Sequence, residues 1–178
     1  MNTLSYYGTN PLMYASEYNN IKVVQLLIEK GADVNYKVPE KYPHNSGYSA
    51  IHFTIEQGHY DIAKYLTDMG AEINVRFSSR DFWPHYTPLL KALHDKEFEF
   101  AEYLILKGAE VNVKVYENAD GYYRPGFTAL HFACMHDSLQ IVKLLLEKGA
   151  DPNAKDKNGY TPYYFACEHK DADSYTKL

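Results

Sequence analysis

Apolar residues in this chain fall into pairs of short runs, each pair closed by a glycine. The clearest pair lies between Gly126 and Ala154. Thr128, a hydroxyl residue able to accept from an orphan backbone N–H, precedes a short apolar run from Ala129 to about His136, broken at Asp137-Ser138. A second run places Leu139, Ile141, Val142, Leu144, Leu145 and Leu146 at helical spacing. Lys148 stands where a cation favours the helix dipole, and Gly149 supplies the left-handed residue that ends the helix. Helices this short are marginal alone in water. The pattern therefore predicts copies of the pair stacked beside it.

The copies are present. Thr128 and Gly149 are 21 residues apart, and the same interval separates Asn10 from Gly31, Ser49 from Gly70 and Thr87 from Gly108. The glycines open the strings Gly31-Ala32-Asp33-Val34-Asn35, Gly70-Ala71-Glu72-Ile73-Asn74, Gly108-Ala109-Glu110-Val111-Asn112 and Gly149-Ala150-Asp151-Pro152-Asn153. The starts read Asn10-Pro11-Leu12-Met13-Tyr14-Ala15, Ser49-Ala50-Ile51-His52, Thr87-Pro88-Leu89-Leu90-Lys91-Ala92 and Thr128-Ala129-Leu130-His131-Phe132-Ala133, with a fifth at Thr161-Pro162. This resembles the ankyrin repeat over nearly the whole chain. The resemblance implies one all-α repeat solenoid of paired short helices, with repeats at about 8–35, 47–74, 85–112 and 126–153 and a partial repeat at 159–178. It also implies structural hydrogen-bonding roles for His52 and His131.

The departures from an even repeat are informative. Successive starts are 39, 38, 41 and 33 residues apart, against an ankyrin period of about 33. The helical part is constant, so three connections are lengthened by 6, 5 and 8 residues. Segments 34–38, 73–77 and 111–115 alternate apolar with polar and are followed by turn residues, ending in Asp120-Gly121 in the third. That predicts three elongated β-hairpin fingers. Tyr48, Tyr86, Phe127 and Tyr160 share one slot before the helix and are expected to pack. Repeat three diverges most, with Lys91 where its siblings carry Tyr14, Phe53 and Phe132. In the fifth repeat Ser174, Tyr175 and Lys177 replace apolar residues, as in a capping unit.

Composition narrows the function class. A net charge of −5 gives no reason to expect nucleic acid. No apolar run approaches a membrane span, and the N-terminus shows no secretion signal, so the expected location is the cytoplasm. Cys134 and Cys167, one 33-residue period apart, are expected to be buried hydrophobes on helices too far apart to bridge. No histidine has metal-ligand spacing, and no cofactor is implied. His94-Asp95 and His136-Asp137 are poor dyads, because adjacent helical residues point about 100° apart.

These features predict a monomeric, non-enzymatic module that binds a protein. Ankyrin proteins generally bind partners with finger tips and concave helices, which directs attention to Glu17, Tyr18, Glu56 and Met135 at first-helix ends. Glu168 joins the two glutamates in an expected acidic column. The finger aromatics Tyr42, Phe82, Trp83, Tyr116, Tyr122 and Tyr123 complete the candidate set. They either pack against one another, since a lone ribbon is marginal in water, or, where exposed, form a recognition surface, since Tyr and Trp dominate binding hot spots. A toxin-neutralising immunity protein and a host-directed effector are the roles such a module fits. The alternatives are a scaffold segment of a larger protein and, further off, a small-molecule-sensing or enzymatic domain.

Overall fold

The computed structural model describes residues 4–76, 86–116 and 124–167. Among these, nine helices follow in order: α1 Pro11–Glu17, α2 Ile21–Glu29, α3 Ala50–Glu56, α4 Tyr60–Asp68, α5 Pro88–His94, α6 Phe98–Leu106, α7 Ala129–Met135, α8 Leu139–Glu147 and α9 Pro162–Cys167. The first helix of each complete pair has 7 residues and the second 9. The chain forms two compact units, Met1–Trp83 and Pro84–Leu178.

Local chemistry sets every boundary. Asn10 and Thr87 cap α1 and α5 through a side-chain oxygen that accepts from the N–H of Met13 and of Leu90 (2.9 and 3.4 Å), each helix having proline in its first turn. In α3 and α7 the capping is reciprocal. The backbone N–H groups of Ser49 and Thr128 donate to Nδ1 of His52 and His131 at 3.0 and 3.1 Å. Nδ1 is therefore unprotonated, and Nε2–H donates onward to the carbonyls of Arg76 (3.4 Å) and Tyr160 (3.2 Å). This is the structural role that the resemblance implied. Burial, partly opposed by hydrogen bonds to Arg76 and Ser49, lowers His52 to a pKa of about 4. Burial likewise lowers His131.

The first and second helices of each pair end alike. Asn20, His59, Glu97 and Ser138 donate their N–H groups to carbonyls five residues back, at 2.7–3.0 Å, across a left-handed residue. Those residues are Asn19, Gly58, Lys96 and Asp137, so three of the four turns hold a side chain at positive φ. The second helices close the same way, with Ala32, Ala71, Ala109 and Ala150 each donating five residues back past a glycine.

In unit one, α1 packs on α2 and α3, and α3 on α4. The core is built from Leu12, Val24, Ile51, Ile55, Ile62 and Leu66, all 1% exposed or less. In unit two, α5 packs on α6 and α7, α6 on α8, and α7 on α8 and α9, around Leu89, Leu93, Leu104, Phe132, Leu145 and Phe165. Neighbouring repeats are clamped by asparagine. Asn35 donates to the Gly70 carbonyl at 2.9 Å and accepts from the Glu72 N–H at 2.9 Å. Asn112 repeats this with Gly149 and Asp151, at 2.9 and 2.8 Å.

The connections correct one expectation. The first finger lies within the described residues and carries no strand. Val38 donates to the Tyr48 carbonyl (2.8 Å) and accepts from Gly47 N–H (2.9 Å), which closes a loop rather than starting a ladder. Inside it Tyr42 donates to Pro39, Asn45 to Tyr42 and Tyr48 to Asn45, a chain of turns that folds the insertion back on itself. An isolated two-stranded ribbon is marginal in water, and Pro39 removes a donor from any ladder. In the third finger Val115 and Phe127 close identically, at 2.8 Å for both bonds. The expected hairpin tips of fingers two and three, 77–85 and 117–123, lie outside the described residues.

The short fourth connection uses the same closure with aspartate in the valine slot. Asp156 donates to the Tyr160 carbonyl (2.9 Å) and accepts from Gly159 N–H (3.1 Å), while its carboxylate accepts from Asn158 and Tyr160. Val38 and Val115 are instead buried to 2% exposure. The extra 6 and 8 residues of fingers one and three thus lie inside the closed ring.

Candidate functional site

First-helix ends and finger loops bring together part of the candidate set. Glu17 and Glu56 end α1 and α3, and both are half-buried. Glu56 accepts a hydrogen bond from the Tyr48 hydroxyl at 2.8 Å, so this carboxylate is positioned by the base of the first finger. The Glu17 backbone carbonyl accepts from Nε2 of His59 at 3.0 Å, which fixes the end of α1 against the next interhelix turn. Tyr18, the residue after α1, is 62% exposed and lies 4.6 Å from Tyr14, centroid to centroid, with the rings 35° apart. A hydrogen bond with Tyr14 is the main cause raising the Tyr18 pKa, followed by the charges of Tyr14 and Glu17.

Of the two roles open to the finger aromatics, the surroundings of Tyr42 match packing. It is half-buried, and a Cβ added at Gly8 would come within 2.2–2.8 Å of its ring. The Lys41 ammonium stands 5.1 Å from the ring centroid on the first finger. Packing against Gly8 is therefore the role its surroundings show. Gly126, the equivalent glycine of repeat four, is approached instead by backbone, with Asp156 Cα and Lys157 N each 2.8 Å from an added Cβ. The inserted tyrosine ring takes the place that main chain fills in the short connection.

Tyr116 is exposed at the edge of the described part of finger three, and Met135 is half-buried at the end of α7. Phe82, Trp83, Tyr122 and Tyr123 lie outside the described residues, as does Glu168 of the expected acidic column. Of that column, Glu17 and Glu56 are both within unit one.

Unit two replaces these carboxylates with a mixed network. Lys91, only 6% exposed, forms an ion pair with Asp95, one helical turn on. Asp95 also pairs with Nδ1 of His94 at 2.8 Å. Burial works to raise the Asp95 pKa, but hydrogen bonds from His94 and Lys91 outweigh it and hold it low. The two side chains meet although adjacent helical residues diverge, because α5 ends at His94 and Asp95 is its C-cap, at the helix end where the sequence put them. The Lys91–Asp95 spacing of four was the available signal. The Tyr14–Tyr18 contact had the same signal and was missed too.

Burial pushes the Cys134 thiol up to about 11, away from nucleophilic thiolate chemistry. Cys134 is half-buried and Cys167 exposed, so the expectation of two buried cysteines holds for neither fully. Burial, then the charges of Lys96, Arg124 and His94, lower His136 to about 4. Among the described residues no three metal-ligating side chains converge, and no helix is long and apolar enough to cross a membrane.

Comparison with known proteins agrees with the architecture. Residues 125–157 match the family model for the ankyrin repeat, and residues 12–67 match that for ankyrin repeats in many copies. A human ankyrin repeat and SOCS box protein 3 is 34% identical over 168 residues, 94% of this chain and 29% of that protein. The bovine protein of the same name is 35% identical over 163 residues, covering 91% and 28%. The chain thus spans less than a third of these two relatives. A putative ankyrin repeat protein of fowlpox virus is 29% identical over 175 residues, 87% of this chain and 90% of the viral one. With four helix pairs in register, asparagine clamps between neighbours and matches at both ends, this chain belongs to the ankyrin repeat family.

Proposed function

We propose that the chain is a non-enzymatic module that binds a protein partner through its lengthened fingers and the ends of its first helices. One observation carries this reading. The added residues of fingers one and three sit inside a closure that the fourth connection makes with three enclosed residues, so stacking of the repeats does not require them. The fingers and first-helix ends bear Glu17, Tyr18, Glu56, Tyr116 and Met135, and the sequence of the remaining finger tips supplies Phe82, Trp83, Tyr122 and Tyr123. Aromatic residues favour recognition wherever they reach the surface. Tyr42 contributes by holding its loop against Gly8.

The narrower roles of toxin immunity and host-directed effector rest on fold alone. The relatives named above carry SOCS-box and viral ankyrin names, and none of these three is named for toxin immunity. Cross-linking and affinity capture from source cells supply the partner for the test. Trp83→Ala and Tyr122→Ala are each expected to weaken its binding by roughly 1–3 kcal/mol. Lys22→Ala and Lys143→Ala, on exposed positions of α2 and α8, are expected to leave it unchanged. Full affinity after shortening fingers two and three to the length of the fourth connection would overturn the proposal.

A further inference from the structure

The residue seven places after each first-helix cap changes character between the two units. Unit one has Glu17 and Glu56 there, and unit two has His94 and Met135. The aromatic residue eight places earlier changes company in step. In repeat two the Tyr48 hydroxyl donates to Glu56. In repeat three the Tyr86 ring lies 5.4 Å from that of His94, centroid to centroid. In repeat four the Arg124 guanidinium stands 5.3 Å from the Phe127 centroid.

Ring contacts gather these unit-two groups into one region. Phe132 lies 5.2 Å from Phe127 and 6.0 Å from His94, as α7 packs on α5. His136 follows Phe132 by one helical turn, and its ring lies 6.3 Å from Phe98, two residues beyond Lys96. The charges that act on His136, after burial, are those of Lys96, Arg124 and His94, and all lower its pKa.

The two permanent cations are held in a backbone conformation that their side chains do not favour. Among the described residues, four that are not glycine take positive φ: Asn19, Lys96, Arg124 and Asp137. Asparagine and aspartate tolerate the left-handed region through local hydrogen bonds, a help that lysine and arginine lack. Strain of this kind gathers at binding sites. Lys96, at φ 65°, is exposed in the turn after α5 and makes no ion pair among the described residues. The carboxylates of the region have other attachments. Asp95 is held by Lys91 and His94. Glu97 is the N-cap of α6 and Asp137 precedes the N-cap of α8, where the helix dipole favours negative charge.

We propose that the first-helix ends of unit two receive an acidic side chain of the partner protein, its carboxylate drawn to Lys96 and Arg124 beside His136. Charge-assisted hydrogen bonds to an ammonium and a guanidinium are the contacts such a group makes. Unit one, with Glu17 and Glu56 in the same column, repels it. That the carboxylate comes from a protein rests on the reading above, whereas the preference itself is tested without any partner.

The test is an NMR titration of the ¹⁵N-labelled chain with N-acetyl-Leu-Glu-Leu-amide and with its glutamine counterpart, which keeps the shape and loses the charge. Shifts are expected at residues 94–98, 124–128 and 135–137, with the glutamine peptide about fivefold weaker, the scale of one or two exposed ion pairs. Bound carboxylate should also raise the His136 pKa from about 4, since it offsets the positive charges around the ring. Lys96→Asn removes the charge and suits the left-handed backbone, so loss of the preference in it is not loss of folding. Lys143→Gln, which removes the same charge from α8, should be silent. Equal binding of the two peptides, or shifts centred elsewhere, overturns the proposal and leaves the finger reading intact. Inorganic phosphate giving the same shifts at lower concentration than the peptide would make a free anion the occupant and also overturn it. A preference that holds while Trp83→Ala and Tyr122→Ala spare the captured partner would instead remove the finger reading and leave this one standing.

Discussion

Between Val38 and Tyr48 the chain places nine residues in a ring that encloses three between Asp156 and Tyr160. The two closing bonds are the same pair in both loops. What differs is how the ring is supported from within. In the short loop the Asp156 carboxylate accepts two backbone N–H groups and organises a tight turn. In the long loop that turn is absent, and valine sinks into the core while Tyr42 lies on Gly8. Main chain covers Gly126 in the short case, and a side chain covers Gly8 in the long one. Finger length is thus decoupled from the stack, because each solution covers the same glycine and hands the same aromatic slot to the next helix.

If that slot anchors both kinds of loop, removing its ring should cost more where it is buried than where it is half-exposed. Phe127 is 3% exposed and packs on His131, Phe132 and Phe165, with centroids 4.8–5.2 Å away. Phe127→Ala is expected to destabilise by about 3–5 kcal/mol in denaturant titration, and Tyr160→Ala, half-buried, by clearly less. Equal losses would show that the slot is not graded by burial.

The histidine that ties a repeat to the following connection provides the next test. His52 is held neutral in the fold with a pKa near 4, while the unfolded chain takes up its proton near 6.5. Its contribution is therefore present above pH 6.5 and is lost as pH falls toward 4, by roughly 3 kcal/mol. His131 is lowered in the same direction and acts in the same sense. Melting curves across that window should show a steep acid loss that His52→Gln makes shallower. A parallel profile for the variant would remove His52 from the account.

A smaller effect separates the two glycine environments. Gly126 has φ +85°, and Asp156 and Lys157 backbone atoms lie 2.8 Å from an added Cβ; Gly47 has φ +79° with nothing within 4 Å. Both alanine variants carry the left-handed penalty of about 1–2 kcal/mol. Gly126→Ala should exceed Gly47→Ala by at least about 1 kcal/mol, because backbone must move to admit it. The smallest expected change comes from a graft. Replacing residues 39–46 by Lys-Asn together with Val38→Asp rebuilds the fourth connection after repeat one. Its melting temperature should stay within about 4 °C of the parent, equivalent to roughly 1 kcal/mol. A collapse would show that the insertion supports the stack.

The helices were legible because their determinants are local. A cap at Thr128, a stripe through Leu145 and a stop at Gly149 are each read within a few residues of sequence. Asn19 takes φ 55° between α1 and α2, a left-handed conformation that asparagine tolerates. The first finger was misread because alternation of Val34, Tyr36 and Val38 speaks for a strand only when another strand lies alongside. Here Pro39 and successive turns intervene. At the candidate site, the sequence left packing and binding both open for Tyr42, because the residue it packs on, Gly8, is 34 residues away and without a side chain to signal contact. Lys91 stood out as a departure, but its ion pair depends on where α5 stops.

The asparagine clamp has a consequence for how such chains change over generations. The Asn35 and Asn112 side chains each hydrogen-bond to a carbonyl and an N–H of the following repeat, groups that nearly every amino acid presents. The coupling therefore makes little demand on the identity of its neighbour. A repeat copied, deleted or exchanged by recombination meets a valid junction at once, and side chains elsewhere are left to diverge.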